Sequence, residues 1–300
     1  MSYAPVPIDL SRIPAPNAID PLDFEALFDD YAARFVARWE QARGIDPTLP
    51  DYDVSDLQSG SMAIDGQAYS ETRLLDRAHV NDAVRSVLAP LAKGADLDNV
   101  VARQGVVRLD LSPGLFESDE QLLWRYLLSF GRASAGSVDR ILFDAWTAWP
   151  GMHNARVNGR AIHGRRGETD LVIAGPGGVT PPEKLTQVRA AVTAPSAKPE
   201  AIGIFVLAAA PLEYAVTQTI RVPVGPDAEL VRLEAVARVS AATDGRHLIG
   251  GTIQRDLIAG AAYGPSVASV EHSSPDADVV ATPYQIPVRT GVAIAVEIVG

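Results

Sequence analysis

The spacing of apolar residues changes character once along this chain, at Pro150-Gly151. Upstream they recur every three or four residues, the spacing that gives a helix one buried stripe. Downstream they alternate, or cluster in short blocks between Gly and Pro, as strands do. A chain in that order is expected to be α+β, with an N-terminal helical region followed by two small mixed α/β domains, ferredoxin-like or similar. A length of 300 residues agrees, being long for a single core. The expected segments are an extended arm over 1–21, a helical region over 22–150, and mixed domains over 151–211 and 212–300.

Prolines at positions 5, 7, 14, 16 and 21 fix φ and remove backbone donors, which predicts the extended arm. Ile8, Leu10 and Ile13 are its candidate anchors on a partner. A helix should follow, with Asp20 as N-cap, Pro21 at its first position, Asp23 favouring its dipole and Gly44 at its end. Phe24, Leu27, Phe28, Tyr31, Phe35 and Trp39 then share one face. Such a stripe is either an internal core face or a seam with another chain. On the second reading Phe24, Phe28, Phe35 and Trp39 are candidate contacts.

After a loop over 45–60, a long helix is expected from about Gln67 to Leu91, buried along Leu74, Ala78, Val84, Val87, Leu88 and Leu91 and closed by Pro90 and Gly94. Asp96 caps a short helix through Val101, which Gly105 stops. Ser118 and Gln121 form a capping box for a helix carrying Leu122, Leu123, Tyr126, Leu127 and Phe130, broken at Gly131. A last helix carries Val138, Ile141, Leu142, Ala145 and Trp149.

Beyond Pro150, Asn158-Gly159 signals a hairpin. Leu171-Val172-Ile173-Ala174 reads as a buried strand, and Thr180 with Glu183 as a capping box on a helix ended by Pro195. Ile204–Leu207 completes a strand–helix–strand unit. In a second unit Tyr214, Val216, Ile220 and Val222 alternate with polar residues. Helices follow over Asp227–Ala242 and Ile253–Ala262. Strands are expected over Val267–Glu271, over Val279–Ala281 and at the end, where Val292, Ile294, Val296 and Ile298 share a face.

The search for chemistry assigns no catalytic, cofactor or metal residue. Gly175-Pro176-Gly177-Gly178 sits where phosphate loops sit, but Pro181 and Pro182 remove two N–H donors and no Walker lysine follows. Ser134 misses a nucleophile-elbow pattern by its first glycine, with a helix instead of a strand before it. The histidines at 79, 153, 163, 247 and 272 show no i,i+3 or i,i+4 pairing. Absence of cysteine excludes disulfides, thiolate catalysis and sulfur-ligated zinc. A net charge of −11 argues against nucleic acid and acidic membrane surfaces as partners. No charge-free apolar run is long enough to predict a membrane span, and the first residues have no features of a secretory leader. Arg156, Arg160, Arg165 and Arg166 make a basic cluster with His153 and His163. Without interleaved aromatics for base stacking, it reads as a solvated hairpin or a contact with a partner protein.

Four stretches in order resemble the baseplate assembly protein J family. They are Ile8-Asp9-Leu10-Ser11-Arg12-Ile13-Pro14-Ala15-Pro16 with Leu22-Asp23-Phe24-Glu25; Ala92-Lys93-Gly94-Ala95-Asp96-Leu97-Asp98 with Arg108 beyond; Glu117-Ser118-Asp119; and Ser134-Ala135-Gly136-Ser137-Val138. The resemblance covers nearly the whole chain, and residues 44–65 depart from it. It implies a non-enzymatic wedge subunit of the inner baseplate of a contractile phage tail, phage-like bacteriocin or related injection system, with no cofactor. The implied partners are a second copy of the chain, a second wedge protein, a sheath-initiator-like baseplate protein and neighbouring wedges. Helical regions pair the copies, and outer α+β domains join wedges into a ring. The implied location is the virion tail baseplate, assembled in the bacterial host cytoplasm. The residues alone leave a second reading, a non-viral enzyme or binding protein on ferredoxin-like domains, marked by a cleft with converging titratable groups.

Overall fold

The computed structural model describes residues 14, 16–52 and 60–299, so Ile8, Leu10 and Ile13 lie outside the described residues. The architecture is α+β, with helices first and small sheets after them. Contacts divide the chain between Val107 and Arg108 into two compact units.

In the first unit α1 (Phe24–Ile45) packs on α2 (Ser61–Ser86), and the short α3 (Ala95–Ala102) follows. Asp23, not Asp20, caps α1, its Oδ1 accepting from the Ala26 N–H at 3.1 Å. Asp20 is engaged elsewhere: its N–H donates to Asn81 Oδ1 and its carbonyl accepts from Asn81 Nδ2, at 3.0 and 2.8 Å. Pro21 therefore precedes the helix, and α1 runs past Gly44 to Ile45. α2 starts at Ser61 instead of about Gln67 because its early turns, with Ala63, Gly66 and Ser70 buried, are small enough to lie close to α1. A Cβ at Gly66 would come within 2.6 Å of the Tyr31 ring. α2 ends at Ser86 instead of Leu91; Pro90 has no N–H to donate to the Ser86 carbonyl and extend the ladder. α3 starts behind Gly94, whose φ of 53° suits glycine. Asp96 lies in its first turn and is not its cap.

The second unit opens with a hairpin of β1 (Asp110–Ser112) and β2 (Leu115–Phe116). The expected capping box on α4 (Asp119–Ser129) is present, Ser118 and Gln121 exchanging bonds of 3.3 and 3.4 Å. A 3-10 turn over Phe130–Ala133 follows, and Ser137 caps α5 (Val138–Ala148).

The first sheet has the order β3 (Asn154–Asn158), β4 (Glu168–Ala174), β5 (Gly203–Ala208), with β3 antiparallel and β5 parallel to β4. The β4-to-β5 crossover carries α7 (Pro182–Val192), which packs against α5 and β5. Leu171–Ala174 are fully buried, as their run of apolar residues requires. Asn158-Gly159 does not make a two-residue hairpin. Such a turn needs positive φ at both residues; Gly159 has φ −102°, and the chain adds a helical turn, α6 (Arg160–His163), before returning. Thr180 does not cap α7. Its hydroxyl donates to Ile173 O at 3.0 Å, and Pro181 stands at the cap position.

Ala209 switches the chain between sheets. Its N–H donates to Ile173 O in the first sheet, and the next N–H, of Ala210, donates to Tyr284 O beside the second. The second sheet has the order β10 (Gln285–Val299), β6 (Ala210–Pro223), β8 (Ser269–Ser274). β10 runs parallel to β6 from Gln285 beside Ala210 to Val299 beside Pro223, so its expected apolar face is the second half of a longer strand. α8 (Ala228–Asp244), capped by Asp227, and α9 (Arg255–Ala262) cover one face of this sheet. A two-stranded piece, β7 (Thr252–Ile253) with β9 (Val279–Val280), completes the unit. Tyr214, Val216, Ile220 and Val222 join Val231, Ala235, Val239, Ile258 and Ile294 in the core, while Ile298, expected on one face with Val292, Ile294 and Val296, is exposed.

Candidate functional site

Phe24, Phe28, Phe35 and Trp39 stand on one side of α1, each partly buried. Tyr31 stacks on Phe35 and Phe35 on Trp39, with centroids 6.4 and 6.3 Å apart. Tyr69 of α2 meets Tyr31 at 5.3 Å, and Tyr52 meets both Phe35 and Trp39. Trp39 Nε1 donates to Pro50 O at 3.0 Å. Tyr31 O–H donates to Asp65 at 2.5 Å, and that bond, with burial second, pushes the phenol up to about 12. The ladder is thus occupied by its own helix pair. Apolar groups left outside include Ile45 at the end of α1 and, on α2, Ile64, Leu75 and Val80, each more than half exposed. Sequence reading missed Ile64 because the helix was expected to start after it.

The four arginines do not make one face. Arg156 turns inward, donating to Asn158 Oδ1 at 3.2 Å and Ile249 O at 3.1 Å, and burial lowers its pKa. Arg165 is bound by Glu168 and by Asp170. Arg160 and Arg166 are exposed. His153 Nε2 meets His247 O at 2.7 Å, and their rings lie 4.4 Å apart. Burial, and next the neighbouring His153, lower the His247 pKa. These contacts belong to a polar joint between the two sheets. There Asn154 Oδ1 accepts from Ile249 N, Asn158 Nδ2 donates to Pro283 O, and Tyr284 O–H donates to Asp170. Val172, Ala174, Ala209, Ile249 and Ile286 form its apolar centre.

The motifs of the second unit turn out to hold the backbone. Glu117 is buried and its Oε2 accepts from Arg125 Nη1 at 2.6 Å and from Leu109 N at 3.2 Å. Arg108 donates to Glu117 O and to Asp119 Oδ1, both at 2.6 Å, which ties the base of the β1–β2 hairpin to α4. Ser137 Oγ caps α5 and donates to Gly131 O. In the Gly175–Gly178 turn a Cβ at Gly175 would meet Val179 O and Trp149 and one at Gly178 would meet Val288, and the Gly178 N–H is already used, donating to Gly175 O at 3.0 Å. A cleft of about 320 Å³ is lined by Arg165, Glu168, Asp170, Phe205, Leu207 and Tyr284. Its acids, arginine and phenol are bonded to one another instead of converging on a vacant point. Among the described residues no three His, Cys, Asp or Glu are grouped to hold a metal, and no helix is long and apolar enough to cross a membrane.

The helix pair thus leaves Ile64 and Leu75 exposed on α2, Arg108 ties the β1–β2 hairpin to α4, and polar bonds join the two sheets. Residues 59–114 match the Baseplate J-like N-terminal domain. Baseplate protein J of Escherichia phage P2 is 28% identical, over 91% of this chain and 92% of the relative. In sequence the chain is thus similar to baseplate J proteins.

Proposed function

We propose that this chain is a structural, non-enzymatic subunit of a phage tail baseplate, acting as a wedge component. Its helical segment joins a second copy and a second wedge protein, with a sheath-initiator-like baseplate protein adjoining. Its residues from about 151 onward link neighbouring wedges into a ring. Assembly takes place in the bacterial host cytoplasm and the chain ends in the virion tail. The observation that carries this reading is on α2, where Ile64 and Leu75, about three turns apart on the same side of the helix, stand in solvent away from the buried Ala63, Gly66 and Ser70. Exposed apolar residues repeated along one side of a helix suit contact with another chain. Asp20 is held by the Asn81 clamp, and Pro21 O accepts from Arg77 at 3.4 Å.

The test is to image purified particles made with Ile64→Asp and Leu75→Asp chains, beside particles lacking the chain. Both positions are exposed, so the variants should fold. A charge forced into an assembled interface costs several kcal/mol, and baseplates should fail to form. Normal particles from both variants would reject α2 as the joining surface.

A further inference from the structure

Helix α8 is apolar on two opposite sides. Val231, Ala235 and Val239 enter the core of the second sheet at four-residue spacing. On the other side Leu230, Leu233, Ala237 and Ala241 recur at three- and four-residue spacing, and all four are exposed, Leu230 by 56% and Leu233 by 51%. A helix resting on a sheet by one face ordinarily keeps its outer face polar. Charge stands beside this outer stripe in pairs, Glu229 with Arg232 and Glu234 with Arg238.

We propose that α8 packs antiparallel against α8 of a second copy of this chain, across a two-fold axis. This rests on the reading that residues from about 151 onward meet a neighbouring copy, and it names the surface and the orientation. Two features select a second copy in that orientation. The stripe has its leucines toward the N-terminus and its alanines toward the C-terminus, so antiparallel packing sets Leu230 against Ala241 and Leu233 against Ala237. Large residues then meet small ones, the condition for close interdigitation. Parallel packing would stack leucine on leucine and leave gaps between alanines. The same antiparallel register brings Glu234 beside Arg238 of the second copy, and the two-fold axis repeats the contact. Parallel packing would oppose Glu234 to Glu234 and Arg238 to Arg238. The helix dipoles are also opposed, which is the favourable sense. The patch is small against the ~1,000 Å² of a stable free-standing interface. It is therefore a contact that closes inside an assembly, where other contacts raise the local concentration.

The chain has no cysteine, so a single introduced thiol reports its own contacts. Full-length Leu230→Cys and Ala241→Cys chains, differently tagged, are incorporated together into particles and mildly oxidised. The mixed 230–241 dimer should exceed either homodimer about tenfold. In the antiparallel pair the like positions lie roughly 17 Å apart along the helices, beyond the ~7 Å reach of a disulfide. Dominant 230–230 dimers, equal yields of all three products, or no mixed product would overturn the pairing. Imaging of the same particles separates the two readings. Contacts between neighbours through another face of residues 151–300 would reject α8 alone. Contacts confined to the segment before residue 151 would reject the ring assignment as well.

Discussion

Glu117 shows how a short motif can be visible in a sequence while its purpose is not. The Glu-Ser-Asp triplet reads as a helix start, and Ser118 does cap α4. The carboxylate of Glu117 does something else: it neutralises Arg125 in a site where both side chains are almost wholly buried. Burial lowers the Arg125 pKa, and Glu117 opposes that shift. Glu117→Ala leaves a buried guanidinium without its charge partner and should cost about 3–5 kcal/mol, read from urea unfolding. Glu117→Ala with Arg125→Met should recover much of that loss, since a buried pair is often replaceable by apolar groups. A single variant as stable as wild type would show that the pair contributes little. His247 makes a pH prediction at the same scale. Its folded-state pKa lies below the ordinary 6.5, so the folded chain binds fewer protons than the unfolded chain as pH falls through that region. This contribution is intact above the ordinary value and is lost below it. Unfolding midpoints should drop from about pH 7 to about pH 5, and His247→Gln should flatten that slope.

At the scale of elements, hydrophobic period located the helices well and their ends poorly. The aromatic stripe from Phe24 to Trp39 was legible because one face of α1 repeats at helical spacing. Its cap was not, because Asp20 and Asp23 are equivalent to any local rule. The choice is made by Asn81, 61 residues away, which binds both backbone groups of Asp20. Asp23→Ala should therefore cost about 1 kcal/mol, while Asp20→Ala keeps those backbone bonds and should cost less. Equal losses in thermal unfolding would mean that the two acids share the cap. Thr180 repeats the lesson, a capping residue in sequence whose hydroxyl is taken by Ile173 O. The basic cluster around Arg156 was legible as charge only. Its division into inward and outward members depends on a joint with Ile249 and Pro283 that no local pattern encodes.

At the scale of the whole molecule, the change of period at Pro150 is a boundary in sequence character, whereas the contacts divide at Val107. The helices of residues 119–148 belong physically with the sheets. Trp149 lies against Gly175, Gly136 against Pro199 and Ile202, and Arg140 donates to Ser196 O at 3.4 Å. A chain cut after Pro150 would keep α4 and α5 and lose all of these partners, baring a face that includes Trp149. Exposing a large buried apolar side chain costs roughly 1.5–3 kcal/mol, and several such losses exceed what two short helices can sustain. A fragment of residues 1–150 should therefore aggregate or unfold without cooperativity. A fragment beginning at Arg108 keeps the Arg108 bonds to Glu117 O and Asp119, the Glu117–Arg125 pair and both sheets. It should remain soluble and unfold in a single transition followed by circular dichroism. A soluble, cooperative 1–150 fragment beside an unfolded 108–300 fragment would reverse the division and return the boundary to Pro150.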